Sequence, residues 1–462
     1  MCSIPVIGLP SSGLERGGAE IAQFAYAHRV RLPAINLPVL ADADVVVAGG
    51  GPAGLGAALG AARQGARVVL IERYGFLGGN FTAASVGTIC GLYFDTGSGF
   101  ECVVGGLARE FAESLAAAGA GIGPIPFKET AVFLYVPWAA KRVADHLVKG
   151  ASSIDLLLHT MVAGAIVDDG GMRALVVATK RGLQAITGSA FIDCTGDADV
   201  ATFAGVPTVV GDAGHRQHAS MQFMLQHADP ERAMAAIASL GPAIDAYGAS
   251  LSRDGGALIP TLRPGEFIGA MTRVRNPDGS PIDVTDPRQA TWGELEGRRL
   301  AEEAAAFVRE HVDGFAEAFL ADTATTLGVR ETRHIRGVWT LTGAEVTAGA
   351  RRPDAIARGA WPKEFHVHDR STECEFLPPG VTYDIPFGAL RTNEVPNLLV
   401  AGRCVSADHN ALASTRVMAP SMAIGEAAGT AGALAARDGV APGAVDIAEL
   451  QATLRSAGAL LG

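Results

Sequence analysis

The spacing Gly49-x-Gly51-x-x-Gly54 is the densest chemical signal in this 462-residue chain. Glycines so placed permit a tight turn and bring main chain close to a pyrophosphate, while the third lets a helix pack closely. The N–H groups and positive dipole end at the start of that helix then face the phosphate charge. Pro52 and Ala53 complete the turn, and Pro52 falls in the first helical turn, where its missing N–H costs nothing. Glu72 closes the next apolar run, 23 residues after Gly49, where a carboxylate accepts adenosine ribose hydroxyls. Elsewhere, Arg330, Arg333 and Arg416 are of the type that grips a carboxylate with two parallel bonds, and His409 titrates in the range suited to moving a proton.

Other clusters carry less. His366-x-His368 with Cys374, and His215-x-x-His218, lack a complete four-ligand pattern and read as surface-loop histidines, so no metal is expected. The cysteines at 2, 90, 102, 194, 374 and 404 form no CxxC pair and read as reduced thiols of a cytoplasmic protein. A net charge of −11 without a dense Lys/Arg cluster argues against nucleic acid and for a small-molecule partner. Val45–Ala62 is free of charge, but its glycines and Pro52 fit a nucleotide turn better than a membrane span, and no secretory signal opens the chain.

The elements that must position these residues follow from periodicity. Val45–Ala48 predicts a strand, Gly49–Gly51 a turn, Pro52–Gln64 a helix stopped by Gly65, and Arg67–Ile71 a second buried strand, which is a βαβ start. Helices are expected within 105–121 and 138–149, then strands at 155–167, 172–179 and 183–192, the first two joined as a hairpin through Asp168–Gly171. Between 211 and 383 the pattern is less regular, with a charged helix at 292–310 and strands near Glu331 and at 339–341. Asn397–Ala401 predicts another strand, Gly402 a turn, and a last helix runs from near Pro420 to Gly439. Residues 1–41 read as an extension with an amphipathic helix around 19–30.

Asp44-Val-Val-Val-Ala-Gly-Gly-Gly-Pro-Ala-Gly54, followed by Glu72-Arg73 and then Gly78-Gly79, resembles two-domain FAD proteins of the glutathione-reductase structural class. NAD would compete on the first motif alone; the Gly78-Gly79 pair turns the reading toward FAD. Similarity to the FAD-dependent oxidoreductase family extends through Phe191-Ile-Asp-Cys-Thr-Gly-Asp197, Leu327-Gly-Val-Arg-Glu-Thr-Arg333, Tyr383-Asp-Ile-Pro-Phe387, Asn397-Leu-Leu-Val-Ala-Gly-Arg-Cys404 and Ser414-Thr-Arg-Val-Met418. The resemblance implies an α/β fold: a Rossmann-like FAD-binding domain, with a parallel sheet and β-meander, beside a mixed α+β substrate domain. Its expected parts are 42–95, 138–210 and 384–462 for FAD, a helical insertion at 96–137, and a substrate domain at 211–383.

The resemblance also assigns residues. Gly49, Gly51, Pro52, Ala53, Gly54, Glu72, Arg73, Gly78, Gly79 and Asn80 belong to the dinucleotide turn and its support. Met161 and Val162 become adenine neighbours, and Thr195, Gly196 and Asp197 cofactor-shell residues. At Gly402-Arg403 the chain departs from the usual Gly-Asp, so either Arg403 reaches a phosphate or main chain alone holds the ribityl group. The N–H groups at Ser421, Met422 and Ala423 would face flavin N1 and the C2 carbonyl and stabilise the reduced, anionic ring. Cys90 and Cys102 are of the type that attaches flavin covalently, with buried thiol the default.

The expected chemistry is hydride transfer between flavin N5 and a small polar or anionic substrate. Arg330, Arg333 and Arg416 lie nearest the ring, and His409 or Tyr383 handles the proton. Two rivals stand: an NAD(P)H-dependent flavin monooxygenase, and a non-catalytic flavin subunit serving a partner protein. The electron donor or acceptor and homo-oligomerisation stay open, and no membrane partner is expected.

Overall fold

The computed structural model describes residues 35–168, 170–212, 215–366 and 371–462, so the helix expected around 19–30 lies outside the described residues. The βαβ start forms as β1 (Val39–Ala48), α1 (Pro52–Arg63) and β2 (Val68–Ile71). Every residue of β2 is buried, as expected of a parallel strand covered on both faces. Helices α2 (Gly106–Ala117) and α3 (Pro137–Gly150) follow, then β3 (Ile154–Leu157), β4 (Met161–Asp168), β5 (Gly171–Thr179) and β6 (Gly182–Asp193).

These strands make one sheet in the order β3-β2-β1-β6-β5-β4, with Leu398–Val400 paired to β6 off that path. β1 runs parallel to β2 and to β6, and Leu398–Val400 runs parallel to the end of β6. β6, β5 and β4 form the antiparallel meander. The apolar run 155–167, expected as one strand, divides into β3 and β4 on opposite sides of the sheet. His159, at φ 52°, turns the chain there, and Thr160 donates its N–H to the Glu72 carbonyl. A hydrophobicity pattern continues through such a corner without a mark.

The segment 96–137 is not simply helical. Beside α2 it carries the antiparallel strands Gly121–Phe127 and Thr130–Tyr135, the first of which hides in a Gly/Pro-rich sequence that reads as loop.

The second layer of order comes from α4 (Pro287–His311), α5 (His409–Thr415) and α6 (Met418–Asp438). α4 packs beside an antiparallel sheet of Ala257–Pro260, Phe267–Ala270, Phe223–Gln226 and Phe319–Thr323, around a core drawn from residues 219–327. Residues from Leu341 onward, including Val346, Ile356 and Tyr383, instead share the core built on α1 and α6. The strand expected at 339–341 is absent; Trp339 lies under the Arg352 guanidinium at 3.7 Å. Among the described residues no helix is long and apolar enough to cross a membrane.

α1 and α6 meet almost backbone to backbone. A Cβ on Gly425 would stand 1.9 Å from the Ala53 carbonyl oxygen, and one on Gly56 2.1 Å from that of Met422. Gly429 and Gly60 repeat the contact four residues on, which places the pairs along one face of each helix. The seam holds the start of α6 against the nucleotide turn. On its far side Glu426, 2% exposed, accepts the Leu107 N–H at 2.9 Å at the start of α2 and has no partner for Oε1.

Burial raises the Glu426 carboxyl from its ordinary 4.5 to about 7. An acid raised on folding binds more protons in the native than in the unfolded chain between those values, so its contribution falls as pH rises through that window. Glu426→Gln keeps an oxygen for Leu107 and removes the charge. It should raise stability at pH 8 by roughly 1–3 kcal/mol and leave pH 4 nearly unchanged, read from denaturant midpoints at the two pH values.

Candidate active site

One cleft gathers most of the expected nucleotide residues. Gly51, Pro52 and Ala53 come from the β1–α1 turn, and Gly79 and Asn80 from the loop after β2. Thr195, Gly196 and Asp197 follow β6, and Gly402 and Arg403 follow Leu398–Val400. All four segments leave the carboxyl ends of parallel strands, where open α/β sheets bind ligands. Gly49, at φ 98°, makes the turn, since a Cβ there would lie 2.5 Å from the Cys194 carbonyl oxygen. A Cβ on Gly51 meets nothing nearer than the Gly79 Cα at 3.8 Å, so the space in front of it belongs to the cleft.

Glu72 stands behind the turn, 6% exposed, and accepts the Gly50 N–H at 2.7 Å and the Tyr74 N–H at 2.8 Å, one on each oxygen. Each oxygen keeps a lone pair for a hydroxyl. Burial raises its pKa. Gly78 donates to the Gly50 carbonyl at 2.8 Å and so ties the second glycine pair to the first.

The departure at Arg403 resolves as a pair. Its Nη2 lies 3.0 Å from Asp197 Oδ1, its Nη1 donates to the Thr332 hydroxyl at 3.0 Å, and that hydroxyl donates to Asp197 at 2.6 Å. The carboxylate beside the Gly402 turn is thus Asp197, from the β6 side, with Arg403 paired to it. Arg333, expected near the ring, is tied to Asp199 and to the Asp197 carbonyl. Burial and the neighbouring Asp197 and Asp193 raise Asp199 to about 6.

Several assignments move. Met161 is 57% exposed and Val162 sits in the core on one face of the sheet, so neither side chain reaches the cleft. α6 begins at Met418, two residues before the expected start near Pro420, so the Ser421 N–H already bonds the Val417 carbonyl at 3.0 Å. Met422 and Ala423 lie deeper in the helix and off the cleft, whereas Met418 and Ser421 line it. Pro420 has no N–H to give and Ala419 donates to the Cys90 carbonyl, which makes Met418 the first-turn residue on the cleft wall. Tyr383 is fully buried, and its hydroxyl shares a 2.7 Å hydrogen bond with Ser414; burial holds it far above the usual tyrosine range. The hydroxyl named as an alternative proton carrier is thus enclosed in the core and does not line the cleft.

Arg330 does not pair with its neighbour Glu331; its Nη1 donates to the His218 carbonyl and the Ser220 hydroxyl, both at 2.9 Å. Glu331, 1% exposed, takes His409 Nδ1 instead, at 2.9 and 3.0 Å to its two oxygens. Burial pulls the His409 pKa down, but the Glu331 hydrogen bond and charge, with Asp212 and Asp408, outweigh it and leave it raised. Arg416, the C-cap of α5, lines the cleft and donates to Gln217 Oε1 at 3.2 Å and to the Glu364 carbonyl at 3.1 Å. His218 and His366 lie among arginines, and burial first, then those charges, lowers His218 to about 4. His368 lies outside the described residues.

The opposite wall of the cleft comes from α4 and from Thr326, Leu327 and Val329. Glu294 on α4 accepts the Thr326 hydroxyl at 2.7 Å and the Leu327 N–H at 3.0 Å and so fixes that wall. Leu327 and Val329 stand in a quoted motif and were within reach of sequence reasoning. Glu294, Tyr74 and Gln217 carried no local signal.

The FAD dependent oxidoreductase family model matches residues 44–454. The chain belongs to this family. FAD is its cofactor, and it is an FAD-dependent oxidoreductase. Soluble pyridine nucleotide transhydrogenases share a short stretch: 52% identity over 46 residues with that of Escherichia coli O1:K1 / APEC and 58% over 41 with that of Salmonella paratyphi B. The match covers 10% of this chain and 10% of the relative in the first case, and 9% of each in the second. Among solved structures, p-nitrophenol 4-monooxygenase from Pseudomonas putida DLL-E4 aligns at TM-score 0.46 and 13% identity over 90% of this chain and 88% of that one. A geranylgeranyl bacteriochlorophyll reductase-like protein from Thermoplasma acidophilum aligns at 0.42 and 14% over 90% and 82%.

Proposed function

We propose that this oxidoreductase transfers a hydride between a small polar or anionic organic substrate and flavin N5, with His409 carrying the accompanying proton. FAD, when bound, supplies the two-electron acceptor or donor. The observation that carries the reading is the His409–Glu331 pair, joined through Gln217 to Arg416 on the cleft wall. Glu331 fixes the ring by holding Nδ1 and strengthens the imidazole as a base, leaving Nε2 for the proton. The cleft lies between the FAD-side turns and the α4 wall, so substrate is enclosed where the two cores meet. The FAD parts are 42–95, 138–210 and 384–462; within 211–383 the stretch 219–327, which has its own core, forms the substrate side, while residues from Leu341 join the FAD-side core. The five described cysteines are all free, which supports a cytoplasmic setting.

Anaerobic titration of the yellow holoenzyme with a panel of alcohols, amines and acids tests this. Bleaching of the flavin band by one such donor, without NAD(P)H, is expected. Bleaching by NADPH alone, with oxygen uptake on readmitting air, would instead establish the monooxygenase reading. A flavin that no small donor reduces would favour the redox-partner reading.

A further inference from the structure

Three guanidiniums, those of Arg253, Arg330 and Arg416, lie close to one another and to Glu364, and Arg416 also lines the cleft. Among the described residues, none of the three hydrogen bonds a carboxylate. Arg253 donates to the Ala270 carbonyl and the Thr372 hydroxyl, and Arg330 and Arg416 donate to the neutral oxygens already described. The Glu364 carboxylate is turned to His366 at 3.2 Å and to the Trp361 ring N–H at 3.4 Å. Burying three cations around the one Glu364 carboxylate that acts on all of them is costly, so the fold holds positive charge in reserve here.

The unused atoms are donors. Arg416 Nε and Gln217 Nε2 are shut from solvent and have no partner. Gln217 is 2% exposed, and because its Oε1 accepts from Arg416, its Nε2 is the end left over. Neither nitrogen can accept a hydrogen bond, so only an acceptor satisfies them. Two donors on hydrogen-bonded neighbouring side chains, one of them on the cleft wall and both among guanidiniums, suit the two oxygens of a carboxylate. Gln217 also sets the distance to the proton carrier: its main-chain N–H donates to Glu331 Oε2 at 3.0 Å. His409 and Arg416 lie seven residues apart along α5, on one face and about 10 Å apart in rise.

We infer that Arg416 and Gln217 hold the carboxylate of the substrate, which is a small carboxylic acid bearing a hydroxyl or amino group beside it. This rests on the proposed hydride transfer. In the oxidising direction the C–H bond gives its hydride to flavin N5, the O–H or N–H proton passes to His409 Nε2, and a C=O or C=N bond forms. Two electrons leave the carbon and two reach the flavin.

The seat is tested apart from turnover by titrating the holoenzyme with propionate, which has no group to oxidise beside the carboxylate, and following the flavin difference spectrum. A saturable change is expected with propionate and none with propionamide. The propionate Kd should rise at least tenfold in Arg416→Gln and in Gln217→Leu, and stay unchanged in the surface control Arg437→Gln. Wild-type affinity in either site variant, absence of a saturable signal, or phosphate binding as tightly as propionate would overturn the carboxylate seat. Propionate binding as expected in an enzyme that no hydroxy or amino acid reduces would keep the seat and sink the hydride reading. Bleaching by hydroxy acids but not amino acids, or the reverse, fixes which substrate it takes.

Discussion

Gly51→Val is expected to yield a folded, colourless protein. Gly51 is the N-cap of α1 with φ −75° and ψ −168°, an extended conformation open to any residue. A Cβ there meets only the Gly79 Cα, in ordinary contact at 3.8 Å, so the new side chain projects into the space that the phosphates need. The fold should lose only about 1 kcal/mol of capping. FAD affinity should fall at least about 100-fold, or ~3 kcal/mol, because rigid main chain on both sides cannot retreat. Circular dichroism and flavin titration check the two halves separately. A yellow Gly51→Val enzyme with ordinary affinity would mean that the pyrophosphate lies elsewhere.

His409→Ala should retain FAD and its visible spectrum yet slow flavin reduction by roughly 10²–10⁴-fold, the range for loss of a positioned acid or base. Its pH dependence carries a sign. If His409 takes a proton from substrate, it must begin neutral, so the reduction rate rises with pH through a midpoint above the ordinary histidine value, as the net effect of Glu331, Asp212 and Asp408 requires. Glu331→Gln removes the largest of those three, and the midpoint should move to lower pH. Stopped-flow reduction across pH 5–9 measures both. His334, buried nearby with neither ring nitrogen bonded, has its own pKa lowered by burial, so it moves in the opposite direction from His409. An unchanged midpoint in Glu331→Gln would show that another group governs the rate.

The parts of the site that could be read from the chain are those whose chemistry is local. The β1–α1–β2 unit follows its predicted order because a β-branched run, a glycine turn and a helix stop lie within thirty residues of one another. Where the chain turns without changing its hydrophobic pattern, as at His159, periodicity reads two strands as one. Helix starts are poorly marked as well. Pro420 suits a first turn and drew the start of α6 toward itself, although Val417 is the N-cap and gives no side-chain cap to betray it. Arg330 and Glu331 are neighbours in sequence and look like a pair, yet their side chains bond different partners.

The glycine turn from Asp44 to Glu72 and the dinucleotide that it holds were set by sequence alone, because glycine spacing encodes both backbone conformation and close approach within a few residues. The catalytic side was decided by the tertiary structure. Glu331 reaches His409 across 78 residues and Arg416 reaches Gln217 across 199, and no local rule of spacing or propensity joins side chains over such separations. What joins them is the packing of α5 against the segments on either side, which brings His409 to Glu331 and Arg416 to Gln217.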